Sequence, residues 1–254
     1  MQDPRPINME PLFSIITITY NAGDTVERTL KSIDCQSFTD YEHLIVDGAS
    51  SDSTLQTISE YKNPRRFLIS EPDKGIYDAM NKGLSNTSGK YLIFLNAGDK
   101  FHAPNTLETI AKAISDNEMP GIIYGQTDIV DNDGNRLGPR HLTAPKNLNL
   151  KSFSQGMLVC HQAFVALRRI TGKYNLKYKF SADFDWCIQC LQHSRKNVGL
   201  HDTVLVDYLN EGTTTRNRFR SLLERFRIMC YYYGILPTVA RHATFVARAL
   251  KRKL

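Results

Sequence analysis

Four short β-rich runs in the first hundred residues each end in a cluster of polar and glycine residues, with helix-length segments between them. Phe13–Tyr20 (FSIITITY) runs into Asn21-Ala22-Gly23, and Tyr41–Val46 (YEHLIV) into Asp47-Gly48-Ala49-Ser50-Ser51-Asp52. Arg66–Ser70 (RFLIS) leads to Glu71-Pro72-Asp73-Lys74-Gly75, and Tyr91–Leu95 (YLIFL) stops at Asn96-Ala97-Gly98-Asp99. Strands alternating with helices build βαβ units and a largely parallel sheet. Ligands of such sheets bind beyond the carboxyl ends of the strands, which is where all four clusters fall. The expected fold is α/β, a mostly parallel, Rossmann-like central sheet flanked by helices, with a nucleotide-type pocket in its first half.

Helices are expected at Thr25–Cys35, Ser53–Lys62, Gly75–Ser85 and Asn105–Asn117, with Asp24 and Asp52 placed as caps. A fifth apolar run, Gly121–Val130, precedes Asp131-Asn132-Asp133-Gly134-Asn135, a hairpin-turn composition in which no twelve-residue calcium-loop pattern continues. Residues 140–175 are mixed and loop-rich. A helix over Ala182–His193, a strand near Val198–Tyr208 and a helix near Arg218–Tyr232 follow, and Thr238–Leu254 has a helical pattern of its own.

No apolar run approaches the ~18 residues needed to cross a bilayer, and residues 1–11 form a polar leader without a charged-then-apolar signal pattern. A cytosolic location is expected. Cys187-x-x-Cys190 with His193 invites a zinc reading, but no second Cys/His pair accompanies it, so the cysteines are read as core. The net charge of +6 is uneven: residues 216–254 hold ten Lys/Arg and one acid, leaving the rest of the chain at −3.

Asp99 stands on a turn after a strand, where a carboxylate could share Mg²⁺ or Mn²⁺ with the phosphates of a ligand. Capping the helix that begins near Pro104 is the other role open to it, and composition does not decide between them. The ordered set SIITITYNAG (14–23), VDGASSDST (46–54), EPDKGIYDAMNKG (71–83), YLIFLNAGD (91–99) and SADFDW (181–186) resembles glycosyltransferase family 2, the inverting GT-A family, over residues 12–190. The 71–83 stretch is similar to members that build bacterial polysaccharides and lipid-linked oligosaccharides.

The resemblance implies an inverting transferase moving a sugar from a nucleotide-sugar donor, with UDP preferred, to a saccharide acceptor that is lipid-linked. It implies a GT-A catalytic domain over 12–215 (nucleotide-binding half 12–100, acceptor half 101–215) and a basic helical extension over 216–254. Thr19, Tyr20 and Asn21 would line the base and Asp47 would bond its edge. Asp52 and Asp73 would form the pocket floor, with Lys74 within reach of donor or acceptor or simply exposed. Tyr77 and Asn81 share a helix face and either pack or contact ligand.

Asp99 matches the last carboxylate of the family's D-x-D metal motif. Asn96 fills the first position with an inserted residue, so one carboxylate, donor phosphates and water would hold Mn²⁺ or Mg²⁺. Asp183 would be the base that removes the acceptor proton and Asp185 its supporter or an acceptor contact, Ala182 standing where a Glu is usual. Both could also be plain first-turn acids on the helix dipole. His161 and Gln162 would touch the acceptor, a structural role being the commoner one for a lone His, and Arg216 and Arg218, after the lid-like Glu211–Thr215, would either stabilise the leaving group or stand exposed at the surface.

Asn96 and Ala182, both at positions usually acidic, keep alive a catalytically silent sugar-nucleotide or membrane adaptor of the same fold. A nicotinamide enzyme is disfavoured, since no G-x-G-x-x-G follows the first strand. In the tail, Val239, Ala243, Val246, Leu250 and Leu254 recur at helical spacing, with Arg241, Arg248 and Arg252 on another side and Phe245 a misfit among them. Such a helix can lie on an anionic membrane surface, here the cytoplasmic face of the inner membrane, or pack on the domain. No nucleic-acid recognition module accompanies the charge.

Overall fold

The computed structural model describes residues 10–210 and 218–251, without the side-chain surroundings of 218 and 246–251. The first half alternates as expected: β1 (Phe13–Thr19), α1 (Val26–Asp34), β2 (Tyr41–Asp47), α2 (Thr54–Glu60), β3 (Arg66–Ser70), α3 (Ile76–Ser85) and β4 (Tyr91–Phe94). The second half holds β5 (Lys100–Phe101), α4 (Thr106–Asp116), β6 (Ile122–Val130), β7 (Arg136–Pro139), β8 (Phe164–Leu167), α5 (Ala182–His193), β9 (Asn197–Leu209), α6 (Arg218–Tyr233) and α7 (Ile235–Lys251).

The sheet runs β3-β2-β1-β4-β8-β6-β9-β5, with β7 hairpinned on β6. β3, β2, β1 and β4 are parallel, and β8 enters antiparallel between β4 and β6. The register aligns Thr19 with Asp47 and Asp47 with Ser70, so three strands end on one line. The Ala97 amide bonds the Ile18 carbonyl at 3.1 Å, which brings the turn after β4 to the same edge.

Side chains alternate across β1 and β4 and feed two apolar layers. Ile16, Ile18, Leu92 and Phe94 pack with Tyr77 and Met80 of α3 and Trp186, Cys187 and Cys190 of α5. Phe13, Ile15, Tyr91 and Ile93 face the other way, onto Ile33 of α1 and Leu107 and Ile110 of α4. Cys187 and Cys190 are fully buried, in keeping with their reading as core.

Some elements depart from expectation, the strand Lys100–Phe101 among them. β8 lies in the segment read as loop, yet forms the bridge between the two halves of the sheet; four residues are too few to show a strand period. The expected caps also differ: the boundary residues are Thr25 for α1 and Ser53 for α2, not Asp24 and Asp52, and neither boundary residue makes a side-chain cap bond.

The C-terminal helices dock on the α3/α5 face. Ile228 and Met229 of α6 are buried there, and Phe245 of α7 packs against the same cluster. Phe226 meets His242 edge-on at 5.0 Å. Phe245, the misfit in the sequence stripe, is thus a packing residue of α7, while Val239 and Ala243 of the stripe are exposed. Among the described residues, no helix is long and apolar enough to cross a membrane.

Candidate functional site

The loops after β1, β2 and β3 form a cup. Asn21, at φ 47°, donates its amide to Ser50 Oγ at 2.8 Å, and its side-chain oxygen accepts from the Ser51 amide at 3.0 Å. Asp52 accepts from the amides of Gly23 and Thr54, each at 3.0 Å. These bonds, the Thr54 hydroxyl first, hold its carboxyl below the usual range. Asp52 thereby clips the first two loops together.

Gly48 sits where a Cβ would lie 2.6 Å from Asp73 Oδ2 and 3.1 Å from the Tyr20 ring, so only glycine lets these two close over it. Tyr20, 66% exposed, presents a free ring face at the mouth. Asp73 accepts from the Gly75 amide at 2.7 Å, while Lys74 is exposed and uses its amide on Asp78.

Asp47 is fully buried and accepts from the Ser50 amide, the Ser50 hydroxyl and the Ser70 hydroxyl. Its oxygens point into the loop base, so the expected bond to a nucleobase edge finds no exposed atom here; Tyr20 and Asn21 hold the surface instead.

The turn after β4 carries the second part of the site. Thr29 of α1 accepts from the Gly98 amide at 2.9 Å and donates to the Asp99 carbonyl at 2.6 Å, which locks it. Asp99 is 4% exposed; Gln162 Nε2 donates to one carboxylate oxygen at 2.8 Å and the Leu209 amide to the other at 3.0 Å. Burial pushes its carboxyl up to about 7, and the Leu209 and Gln162 bonds and the charge of Arg28 offset only part of that shift. Asn96 Oδ1 and Thr19 Oγ1 are buried at the same edge without a hydrogen-bond partner among the described residues.

Buried oxygens without a described partner beside a carboxylate that burial leaves poorly compensated are the donor set of a hard divalent cation, so Asp99 and Asn96 fit Mg²⁺ or Mn²⁺ with phosphate and water completing the shell. A second cluster, His102, Asp128 and Asp207, brings potential ligand atoms within 4.8 Å of one another. There Arg136 grips both oxygens of Asp128 (2.5 and 3.1 Å), and Lys100 (3.1 Å) and His102 (2.7 Å) close on Asp207. Its carboxylates are already matched by cations, and it reads as a closed ion network.

The third part is the start of α5. Asp183 is half-buried, and the Tyr77 hydroxyl donates to its Oδ1 at 2.9 Å. Tyr77 stacks on Tyr174 (centroids 5.8 Å), which stacks on Trp186 (5.2 Å) and shares a 2.7 Å bond with His161 Nε2. Asn81 exchanges two bonds with the Tyr174 backbone.

Asp185 is buried, accepting from Tyr232 of α6 at 2.9 Å and Gln189 at 2.6 Å. It joins α6 to α5 and offers no exposed oxygen for an acceptor. His161 and Gln162 are likewise buried on Tyr174 and Asp99, beneath the site and not facing an acceptor. Arg216 and the Arg218 side chain lie outside the described residues.

Sequence reasoning missed Ser50, Ser70 and Thr54 as loop supports and Tyr77 as the partner of Asp183. The first three were present inside or beside the quoted motifs; the Tyr77–Asp183 pair, 106 residues apart, left no local signal.

The family model described as Glycosyl transferase family 2 matches residues 14–171. A PGL/p-HBAD biosynthesis glycosyltransferase of Mycobacterium bovis is 33% identical over 190 residues, 72% of this chain and 71% of that protein. The Escherichia coli UDP-Glc:alpha-D-GlcNAc-diphosphoundecaprenol beta-1,3-glucosyltransferase WfgD is 26% identical over 223 residues, 86% and 85% of the two chains. The crystal structure of S. aureus TarS 1–349 superposes with a TM-score of 0.71 at 17% identity, covering 93% of this chain and 72% of that one, which shows a shared fold. With the motifs, the cup and the sheet order in place, the chain belongs to glycosyltransferase family 2, an enzyme of GT-A fold.

Proposed function

We propose that this glycosyltransferase works with inversion, moving one sugar from a nucleotide-sugar donor, UDP-linked by preference, to a lipid-linked saccharide during cell-surface polysaccharide synthesis. The likeness to WfgD, whose name gives a UDP-Glc donor and a diphosphoundecaprenol acceptor, supports both choices. Tyr20 stacks on the base at the mouth of the cup, Asn21 bonds it, and Asp73 meets the ribose; Asp47 and Asp52 keep the loops in shape. Asp99 and Asn96 would hold Mg²⁺ or Mn²⁺, which would neutralise the diphosphate charge of the donor.

Asp183 carries the reading. One of its oxygens is held by Tyr77, and the other accepts no hydrogen bond from a described residue. Inversion is a single displacement, so one carboxylate must take the acceptor hydroxyl proton as that oxygen attacks. Asp183→Asn should abolish transfer, by 10²-fold at the least as an order-of-magnitude expectation, and leave nucleotide affinity intact. Retained turnover refutes the assignment. Calorimetric titration with UDP, GDP, dTDP and CMP, with and without Mn²⁺, names the base; no binding to any of them by folded protein sinks the donor reading.

The same reading puts the enzyme on the cytoplasmic face of the inner membrane, and the exposed surface of the C-terminal helices supports it. Tyr231, Ile235, Leu236 and Val239 are exposed on the stretch that carries the chain's excess of arginine, and apolar residues among cations suit an anionic bilayer.

A further inference from the structure

A cleft of about 290 Å³ lies between the 3₁₀ turn at Leu150–Gln155 and helices α6 and α7. Lys151 and Ser154 form one wall; Met229, Tyr233, Pro237 and Arg241 form the other. The Tyr233 hydroxyl donates to the Leu150 carbonyl at 2.8 Å, pinning α6 to the turn and fixing that ring as a wall.

The lining has two cations and no acid. Among the described residues, neither the Lys151 ammonium nor the Arg241 guanidinium has a carboxylate partner; the bonds at these two residues are made by their backbone carbonyls, which accept from the Ser154 and Thr244 hydroxyls. Two uncompensated cations across one cleft favour an anion between them. The rim is apolar: on the same turns of α7 that supply Pro237 and Arg241, Leu236 is 83% and Val239 51% exposed. On the inner side, Tyr232, the neighbour of Tyr233, bonds Asp185, two residues from Asp183.

A charged slot, an apolar rim and a short path to the base together describe a phosphorylated amphiphile. We propose that this cleft holds the phosphate of the lipid-linked acceptor, with its carrier chain leaving over Leu236 and Val239 toward the bilayer. This rests on the acceptor reading above. It gives Lys151 and Arg241 a binding role, and it explains why α7 leaves its apolar side chains uncovered beside a polar slot.

Calorimetry with farnesyl diphosphate, farnesol and inorganic diphosphate tests it on the full chain and on the Lys151→Ala/Arg241→Ala double variant. Farnesyl diphosphate should bind the wild type at least about tenfold tighter than either fragment, and the double variant should lose about tenfold or more, as expected for two charge-assisted bonds. Equal binding of farnesyl diphosphate by both proteins overturns the proposal. So does equal binding of inorganic and farnesyl diphosphate by the wild type, which would mark a plain phosphate site. Nucleotide titration of the same samples separates the readings: nucleotide binding without farnesyl diphosphate binding removes the cleft alone, and neither ligand binding removes the donor reading with it.

Discussion

Tyr77 donates its hydroxyl to Asp183 Oδ1 at 2.9 Å, joining α3, whose loop carries Asp73 and Lys74, to the first turn of α5. The phenol is buried, and burial together with the adjacent carboxylate drives its ionisation far above the usual range, so it stays a donor throughout the working pH range. A carboxylate held by one oxygen keeps the other aimed.

Tyr77→Phe removes that bond and keeps the ring stacked on Tyr174. The expected result is a drop of about tenfold in kcat with donor KM unchanged, the cost of one hydrogen bond to a charged group. A KM increase with normal kcat would mean that Tyr77 serves binding and not the base.

Asp99 couples function to stability. Its carboxyl sits at about 7 in the fold against 3.8 when free, so the native state binds the extra proton between these values and stability falls as pH rises through that window. At pH 8 the buried charge withholds up to about 4 kcal/mol from the fold, on the order of 1.4 kcal/mol per tenfold change in acidity. Asp99→Asn should therefore melt at a higher temperature than wild type at pH 8, with the gap closing toward pH 4, while losing metal-dependent nucleotide binding. A lower Tm for the variant at pH 8 would contradict this.

His161 slopes the other way. Burial lowers it from 6.5 to about 4, so its neutral form contributes stability above pH 6.5 that is lost as pH falls toward 4. His161→Gln should flatten the acid side of the melting curve between those values; an unchanged acid limb would show that His161 is not the group responsible.

The strand ends and their polar clusters were legible because a parallel sheet forces them to one edge, and Thr19, Asp47 and Ser70 fall in register as that argument requires. The direction of each side chain was not legible. Asp47 belongs to a motif that reads as ligand-facing, yet the two serines that turn it inward act through three-dimensional contacts. Asp185 looked like a partner of Asp183 by spacing, but Tyr232, 47 residues on, takes it for helix docking. β8 escaped because its partners β4 and β6, not its four residues, make it a strand.

The docking role of Asp185 is testable by itself. Burial raises its carboxyl above the usual value, and Tyr232 and Gln189 offset part of that cost. Tyr232→Phe should destabilise the protein by about 1–3 kcal/mol, since it leaves a buried carboxylate short of a donor. It should also increase proteolysis within α6 at constant nucleotide affinity. Protection equal to wild type would mean that Ile228 and Met229 hold the helix unaided.

The proposed membrane contact would depend on the exposed turn of α7. Leu236 and Val239 are bordered by Arg241, so apolar insertion and headgroup attraction act at one place. The pair Leu236→Glu and Val239→Glu removes buried apolar area and adds repulsion from anionic lipid, whereas Tm should move little because neither side chain packs inward. Sedimentation with vesicles containing phosphatidylglycerol should capture wild type and leave the variant in the supernatant. Raising salt should weaken wild-type capture without abolishing it, because screening acts on the arginines and not on the apolar contact. Equal capture of both proteins would place the membrane contact elsewhere on the chain.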